Sequence, residues 1–357
     1  MRIGIIAPPW VPVPPVRYGG TEAVVDDLAR GLHATGVDVR LFTVGTSTCP
    51  VPRAHLFDEP VAPMNASLPE AAHVLAAHDE LDDVDLVHDH TLLGPLVAGR
   101  RGATHVPVVT TLHHLLTPPA LRVAAEAARH ASLVAISRSQ ARSARGVPIT
   151  AVIPHGVDLD AYRPADGVGD HVVFVGRMAP EKGAHRAVRV ARAAGRRLVL
   201  ATKIRTNEER AYYEEVVRPL LPPDAEPPQE MDRARRVEVL GSAAALINPI
   251  RWREPFGLVM AEALACGTPV LAFPEGAAPE IVDHGRTGFL CADEEEMVAA
   301  LDRLDTLDRR ACRAAAERRF SSERMVDDHV ALYRALLEAP RTGTAGARSA
   351  RALLRGA

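Results

Sequence analysis

The chain has only four cysteines, Cys49, Cys266, Cys291 and Cys312, and no two of them stand in CxxC spacing. That scatter argues against a zinc site or a disulfide framework, and for four reduced, partly buried thiols in a cytoplasmic protein. Apolar runs long enough to cross a membrane are missing as well. The opening Met1-Arg2-Ile3-Gly4-Ile5-Ile6-Ala7 is cut short by Pro8-Pro9, too soon for a signal peptide. The expected location is therefore the cytoplasm, with peripheral contact at a membrane surface left open. An excess of one charge is absent. The formal net charge is −3 over 357 residues, so nothing global favours nucleic acid as a partner. No GxGxxG follows a strand-like segment and no GxxxxGK[ST] occurs, which removes the usual signatures of dinucleotide and P-loop chemistry. No internal repeat of solenoid length is present.

What remains is a globular composition, 47% hydrophobic and 24% charged, in a chain long enough for two domains. Short apolar runs at Arg2–Ala7, Val37–Val44, Asp85–His88, Val106–Leu112, Leu133–Ser137 and Thr150–Ile153 alternate with helical segments. The pattern restarts at His171–Gly176 and continues through strands at Arg197–Ala201, Ala245–Asn248 and Val270–Phe273. Helices are expected near 183–194, 208–221, 294–304 and 308–319. Strands alternating with helices predict two α/β units with parallel sheets. The boundary is expected near 165, giving a first domain at 1–165 and a second at 166–320. A last amphipathic helix, Ser322–Leu337, carries Met325, Val326, Val330, Leu332, Leu336 and Leu337 as its apolar members. Residues 340–357 are basic, with Arg341, Arg348, Arg351 and Arg355, and read as a disordered tail.

One stretch stands apart: Glu254-Pro255-Phe256-Gly257-Leu258-Val259-Met260-Ala261-Glu262, running on to Gly267-Thr268-Pro269-Val270. Two carboxylates bracket a Pro-Phe-Gly turn and an apolar helix follows. A helix N-terminus favours anions, and carboxylates accept hydrogen bonds from sugar hydroxyls. The stretch thus predicts a site for a molecule that is part phosphate and part sugar. Gly257 and Leu258 are the expected phosphate-facing amides, with Phe256 packed under a sugar ring. Glu254 and Glu262 lie about 80° apart in helical projection, so they need not touch the same group. A second element, Gly176-Arg177-Met178-Ala179-Pro180-Glu181-Lys182-Gly183, places two cations where both can point at one diphosphate. On spacing alone, a solvated loop with a surface Arg–Glu pair reads the same. In the first domain, Gly19-Gly20 before a helix permits close approach of a phosphate, and His113-His114 follow a strand end. A plain loop and a structural histidine are the bland readings of these two.

These residues together resemble family 4 of the retaining, nucleotide-sugar-dependent glycosyltransferases. The resemblance rests on Gly176-Arg177, Lys182-Gly183, the Glu-x7-Glu of Glu254 and Glu262, Ala265-Cys266-Gly267-Thr268-Pro269-Val270, and Gly285-Arg286-Thr287-Gly288-Phe289. Tyr18-Gly19-Gly20-Thr21-Glu22 and Ile153-Pro154-His155-Gly156-Val157-Asp158 extend it upstream. It runs to about Ala339 and is weaker between 46 and 80. It implies the GT-B fold: two Rossmann-like domains facing across a cleft, acceptor mostly on the first and donor mostly on the second. The last helix, at 321–339, would cross back to the first domain. It implies a nucleoside diphosphate sugar as donor, a hydroxyl acceptor, and no metal or other cofactor. Arg177 and Lys182 would bind the diphosphate, Glu254 the donor sugar and Glu262 the ribose. Gly20 would approach the phosphates and His113 the reacting face of the sugar. Lys203, after Ala201-Thr202, stands either near the nucleotide or as an exposed lysine. Two positions depart from the family pattern. Members carry an apolar strand and a glycine that frame the base, where this chain has Asp224-Ala225-Glu226-Pro227-Pro228-Gln229-Glu230-Met231-Asp232. Position 155 is His rather than the usual Asn. The first departure sets a catalytically silent nucleotide-sugar-binding protein against transfer; an enzyme of the same architecture but different reaction, such as a nucleotide-sugar epimerase or a phosphorylase, is a further alternative.

Overall fold

The computed structural model describes residues 1–17, 19–98 and 106–339, so Tyr18 and the basic segment at 340–357 lie outside the described residues. The chain forms two compact units. The first comprises Met1–Gly156 together with the final helix Ser322–Glu338, and the second comprises Val157–Ser321.

In the first unit, β1 (Arg2–Ile6), β2 (Asp38–Thr43), β3 (Arg53–His55), β4 (Leu86–Asp89), β5 (Val108–Leu112), β6 (Ser132–Ala135) and β7 (Ala151–Val152) form one sheet. Its order is β3-β2-β1-β4-β5-β6-β7 and every pair is parallel. Ile3, Ile5, Ile6, Leu41 and Leu86 are fully buried, as expected of central strands covered on both faces. The order reverses between β1 and β4. Crevices at such a reversal, beyond the strands' carboxyl ends, are where open α/β sheets take ligands. The loop leading to helix Gly20–Ala34 and the loop after Asp89 both leave from that point. The final helix packs on Gly20–Ala34. A Cβ on Gly31 would stand 2.4 Å from Val326 Cγ2, so the bare glycine sets how closely the two helices approach.

In the second unit, β8 (Val172–Arg177), β9 (Leu198–Lys203), β10 (Ala245–Asn248), β11 (Val270–Ala272) and β12 (Gly288–Leu290) form a parallel sheet of order β12-β11-β10-β8-β9. Phe174, Val188, Leu200, Ile247, Leu271 and Phe289 belong to its core. Here the reversal lies between β8 and β10. The chain leaves β8 through Arg177 and leaves β10 toward Glu254, which brings the two sequence elements to one edge.

The structure corrects three expectations. The boundary lies at Gly156/Val157 rather than near 165. The residues between are bonded into the second unit: Val157 N donates to Phe320 O at 2.8 Å, and Arg313 Nη1 donates to Tyr162 O at 2.7 Å and Ala265 O at 2.8 Å. The helix expected over 208–221 is α-helical only over Asn207–Tyr212, then widens to a π turn at Tyr213–Val217 and tightens to a 3-10 turn at Arg218–Leu220. Pro219 lacks the N–H that would continue the ladder, and its ring opposes the carbonyl four residues back. The three-residue strands β3 and β12 were not expected. In the base-framing region one bridge, Ala201 with Gln229, takes the place of a strand: Thr202 N donates to Gln229 O at 2.9 Å and Gln229 N to Leu200 O at 3.0 Å.

All four cysteines are free and buried, and burial pushes each thiol up to about 12. Among the described residues no helix is long and apolar enough to cross a membrane.

Candidate active site

In the second unit, Arg177 ends β8 and stands in register with Lys203 on β9. Its Nη2 donates to Glu181 Oε1 at 2.9 Å, and Nη1 lies 3.8 Å from Glu209 Oε1. Five residues on, Lys182 precedes helix Ala184–Ala193, whose cap Gly183 takes the left-handed conformation at φ 81°. A side chain on Gly183 would strike Pro249 O at 2.6 Å, so this glycine lets the cationic loop lie on the segment leaving β10. The result is an ion pair between Lys182 Nζ and the Glu254 carboxylate, 72 residues apart in the chain. Both side chains are largely buried. Trp252 completes the group: its Nε1 donates to Glu254 Oε2 at 2.8 Å, and Lys182 Nζ sits 5.0 Å from its ring centroid.

The backbone of Glu254 is fixed from the opposite side. Ala277 N donates to Glu254 O at 3.1 Å. Gly276, at φ 56°, comes so close that a Cβ would lie 2.3 Å from Glu254 O and 2.5 Å from Glu254 N. Replacing Gly276 with Ala therefore strains φ and pushes on the Glu254 peptide itself. The expected outcome is a melting temperature lowered by the equivalent of about 1–3 kcal/mol and a turnover at least roughly tenfold lower, read by calorimetry and a transfer assay. Unchanged turnover would show that Glu254 is not held by this contact.

Gly257, at φ 93°, caps helix Leu258–Ala265, whose first-turn amides open beside Glu254. Leu258 is half-buried at the mouth. Phe256 does not present its ring to a ligand: it is buried, edge-on to Phe320 with centroids 5.9 Å apart, so only its peptide can line the site. Glu262 lies deeper. Tyr162 Oη donates to Glu262 Oε1 at 2.5 Å, and Arg236 Nη2 donates to Tyr162 Oη at 2.7 Å and lies 3.4 Å from Glu262 Oε1. Lys203 is buried rather than exposed, and burial lowers its pKa, with the neighbouring Arg205 and Arg177 adding to the effect.

In the first unit, Gly20 opens helix Gly20–Ala34, and a Cβ there would meet nothing within 4 Å. It is Gly19 that is crowded: a Cβ there would stand 2.8 Å from Pro15 Cβ and 2.9 Å from Glu22 Oε2. His113, just past β5, belongs to a group of five imidazoles. Its Nε2 bonds His90 Nδ1 at 2.8 Å, and its ring stacks on His155 at 5.2 Å. His90 in turn lies 4.1 Å from His88, ring to ring, and His88 lies 5.1 Å from His329. Tyr333 Oη bonds His88 Nδ1 at 2.6 Å and Thr111 Oγ1 bonds its Nε2 at 2.8 Å. Desolvation, then mutual repulsion, holds His88, His90 and His113 well below the ordinary imidazole range, with His155 lowered to about 3 and His329 to about 4. His113 is thus a neutral imidazole at pH 7. Beside it opens a recess lined by Thr110, Thr111, His113, Leu116, Val123 and Ala124.

The structure brings Lys182, Glu254 and the amides after Gly257 together, with Arg177 at the end of the adjoining strand. Trp252, Tyr162, Arg236 and Gly276 were not singled out in the sequence. Trp252, two residues before Glu254, was the most accessible signal; Tyr162 and Arg236 become visible only once three separate segments meet. Among the described residues no group of three His, Cys, Asp or Glu side chains is arranged to hold a metal ion.

Residues 18–161 match the family described as Glycosyltransferase Family 4, and residues 169–306 match Glycosyl transferases group 1. The chain is 30% identical to the D-inositol 3-phosphate glycosyltransferase of Mycobacterium avium over 340 residues, covering 78% of each chain. It is similar in structure to AviGT4, a glycosyltransferase involved in avilamycin A biosynthesis, with a TM-score of 0.70 and 29% identity, over 94% of this chain and 98% of that one. The Anabaena protein HepE, solved with UDP and glucose, has the same fold, with a TM-score of 0.74 at 21% identity over 93% and 98% of the two chains.

Proposed function

The chain belongs to glycosyltransferase family 4, and from that premise we propose that it moves a hexose from a nucleoside diphosphate sugar to a hydroxyl acceptor, with retention and without a metal ion. The observation that carries this reading is the Lys182–Glu254 pair at the mouth of helix Leu258–Ala265, with Arg177 on the neighbouring strand end. Cation, carboxylate and open helix amides match the three parts of a diphospho-sugar: phosphate charge, sugar hydroxyls and distal phosphate oxygens. With donor bound, Lys182 and Arg177 take the diphosphate, and Glu254 accepts from the sugar hydroxyls. The bond from the anomeric carbon to the diphosphate oxygen breaks as the acceptor oxygen bonds to that carbon on the same face. The departing phosphate oxygen takes the acceptor's proton, so no separate base is needed. The negative charge gathering on the leaving group is met by two cations and the amides of Gly257 and Leu258, the task a metal ion performs elsewhere. His113 is neutral and fixed by His90 within the histidine group of the first unit.

Lys182→Ala tests the diphosphate assignment. In buffer containing EDTA, UDP and GDP affinities are expected to fall by roughly tenfold, the worth of one charge-assisted contact. Calorimetry giving unchanged affinity for every nucleoside diphosphate tried removes Lys182 from the phosphate site. The silent-binder reading predicts donor binding with no release of nucleoside diphosphate, so release over hours from a panel of nucleotide sugars separates the two.

A further inference from the structure

The Arg177 guanidinium meets two carboxylates, and the chain holds them in different ways. Glu181, on the same loop, accepts from Nη2 at 2.9 Å and is about as exposed as the arginine. Glu209 comes from helix Asn207–Tyr212, beyond β9, and its Oε1 lies 3.8 Å from Nη1. The backbone fixes Glu209. Its Oε2 accepts from Arg205 N at 2.8 Å and from Thr206 N at 3.3 Å, while Thr206 Oγ1 accepts from Glu209 N at 3.2 Å. This is a capping box, which satisfies amides at the helix start. With Oε2 committed to the main chain, Oε1 is the oxygen left to face Arg177. Of Glu181, Glu209 and Glu230, the acids near Arg177 and its neighbour Lys203, Glu209 is the least exposed, at 7% against 37% and 19%. A capping box accounts for a Glu or Gln at 209. It does not require that the second oxygen be buried against a cation.

We propose that Glu209 is a positioning residue: it holds the Arg177 guanidinium at the end of β8 in the orientation the diphosphate needs, and a bound diphosphate displaces Glu181 rather than Glu209. The role of Glu209 rests on the reading above, in which Arg177 takes the diphosphate. Arginine presents its donors along more than one edge of a plane, so one edge can stay on Glu209 while the other is released to the ligand. A half-exposed loop carboxylate gives way at small cost, whereas a buried one tied to the main chain does not. A guanidinium already held in place loses less rotamer freedom when the ligand arrives. The expected sign is unusual. By charge alone, removing either acid should tighten the binding of an anion. Removing Glu181 is expected to do so, and removing Glu209 to do the reverse.

The test uses the full chain, with UDP, GDP and ADP titrated by calorimetry, so that neither base nor sugar need be known. For whichever nucleotide binds, Glu181→Gln is expected to tighten affinity about twofold, the worth of one surface pair. Glu209→Gln is expected to weaken it about fivefold, although glutamine also completes a capping box and the net negative charge has fallen. Arg177→Ala should cost about tenfold. Glu209→Gln is then repeated in the Arg177→Ala background, where a residue acting through Arg177 adds no further loss. A merely structural role would weaken binding there as well. A loss that persists in that background runs through the fold or through Lys203, and overturns the positioning of Arg177. If Arg177→Ala weakens binding while Glu209→Gln tightens it or leaves it unchanged, the positioning role falls and Arg177 keeps the diphosphate. If Arg177→Ala changes nothing, the diphosphate reading of Arg177 falls first and takes the role of Glu209 with it. Glu209→Asp, which keeps the charge but shortens the reach, serves should Glu209→Gln fold poorly. A loss that disappears in the Arg177→Ala background is again expected, and full affinity in Glu209→Asp counts against the proposal.

Discussion

Glu254→Ala is expected to abolish transfer, with turnover lowered by roughly a thousandfold, while UDP or GDP binds as well as to the wild type or better. The carboxylate is assigned to sugar hydroxyls, so its loss removes the contacts that orient the anomeric carbon and leaves those to phosphate. The gain in nucleotide affinity follows from the ion pair. In the free protein Lys182 is held by Glu254 and flanked by Trp252. Removing the carboxylate releases the ammonium for the diphosphate, and a ligand no longer has to break that pair. Lys182→Ala should show the opposite pattern, with weakened nucleotide binding. Stopped transfer assays with paired calorimetry decide the matter. Turnover above about a tenth of wild type in Glu254→Ala removes the sugar-holding role, and a large loss of UDP affinity would move Glu254 into the phosphate site.

The second large effect is on stability in acid. His73, His88, His90, His155 and His329 are buried in the first unit and His113 is half-buried beside them, all six with pKa values pressed below the usual imidazole value; burial lowers His73 to about 4 despite its bond to Ala7 O. A folded pKa below the unfolded one, about 6.5, means that the unfolded chain binds more protons in the interval between them. Stability is therefore complete above pH 6.5 and is lost as pH falls toward 4. Asp89 acts with the opposite sign. Burial raises its carboxyl to about 7, so it favours the folded state below that value. One carboxyl does not offset six imidazoles. Each pKa unit is about 1.4 kcal/mol, so His73 and His329 alone cost on the order of several kcal/mol at pH 4, against a total of about 5–15 kcal/mol for a typical domain. The first unit is expected to unfold between about pH 4 and pH 6. The chain's two tryptophans make this easy to follow, since Trp10 lies in the first unit and Trp252 in the second. In a Trp252→Phe variant, urea midpoints from Trp10 fluorescence should fall steeply from pH 7 to pH 5. Equal midpoints would show that the histidine group is not held neutral by the fold.

The alternation of apolar runs with helices was enough to place the ten strands other than β3 and β12, or most of their residues, because nearly all are buried runs. What escaped is informative. β12 begins at Gly288, where a Cβ would sit 1.9 Å from Val270 O, so the glycine marks a contact with a strand that cannot be seen in the local sequence. The Gly285–Phe289 segment was readable as a family signature but not as a strand. The segment from 157 to 165 carries no local sign of which unit holds it. Its attachment depends on Arg313, about 150 residues later, donating to main-chain carbonyls, a bond with no local pattern. The acid pair of the site was legible because Pro-Phe-Gly between two glutamates predicts a helix start. Phe256 was misplaced because an aromatic beside a site looks like a platform until Phe320 is seen to take its edge.

The final helix has a consequence for how the protein is made. His88 bonds Tyr333, 245 residues further on, and Gly31 meets Val326, yet all four belong to the first unit. The second unit is thus, in chain order, an insertion between a first unit and its last helix. As the chain leaves the ribosome, Val157–Ser321 has all its own strands and helices available before the first unit has its last one. Until residue 333 emerges, Nδ1 of His88 lacks its Tyr333 partner and the small-residue face of Gly31 has no cover. A nascent chain arrested before Ser322 should therefore expose the first unit to protease while the second is already resistant, and synthesis of the last helix closes the first.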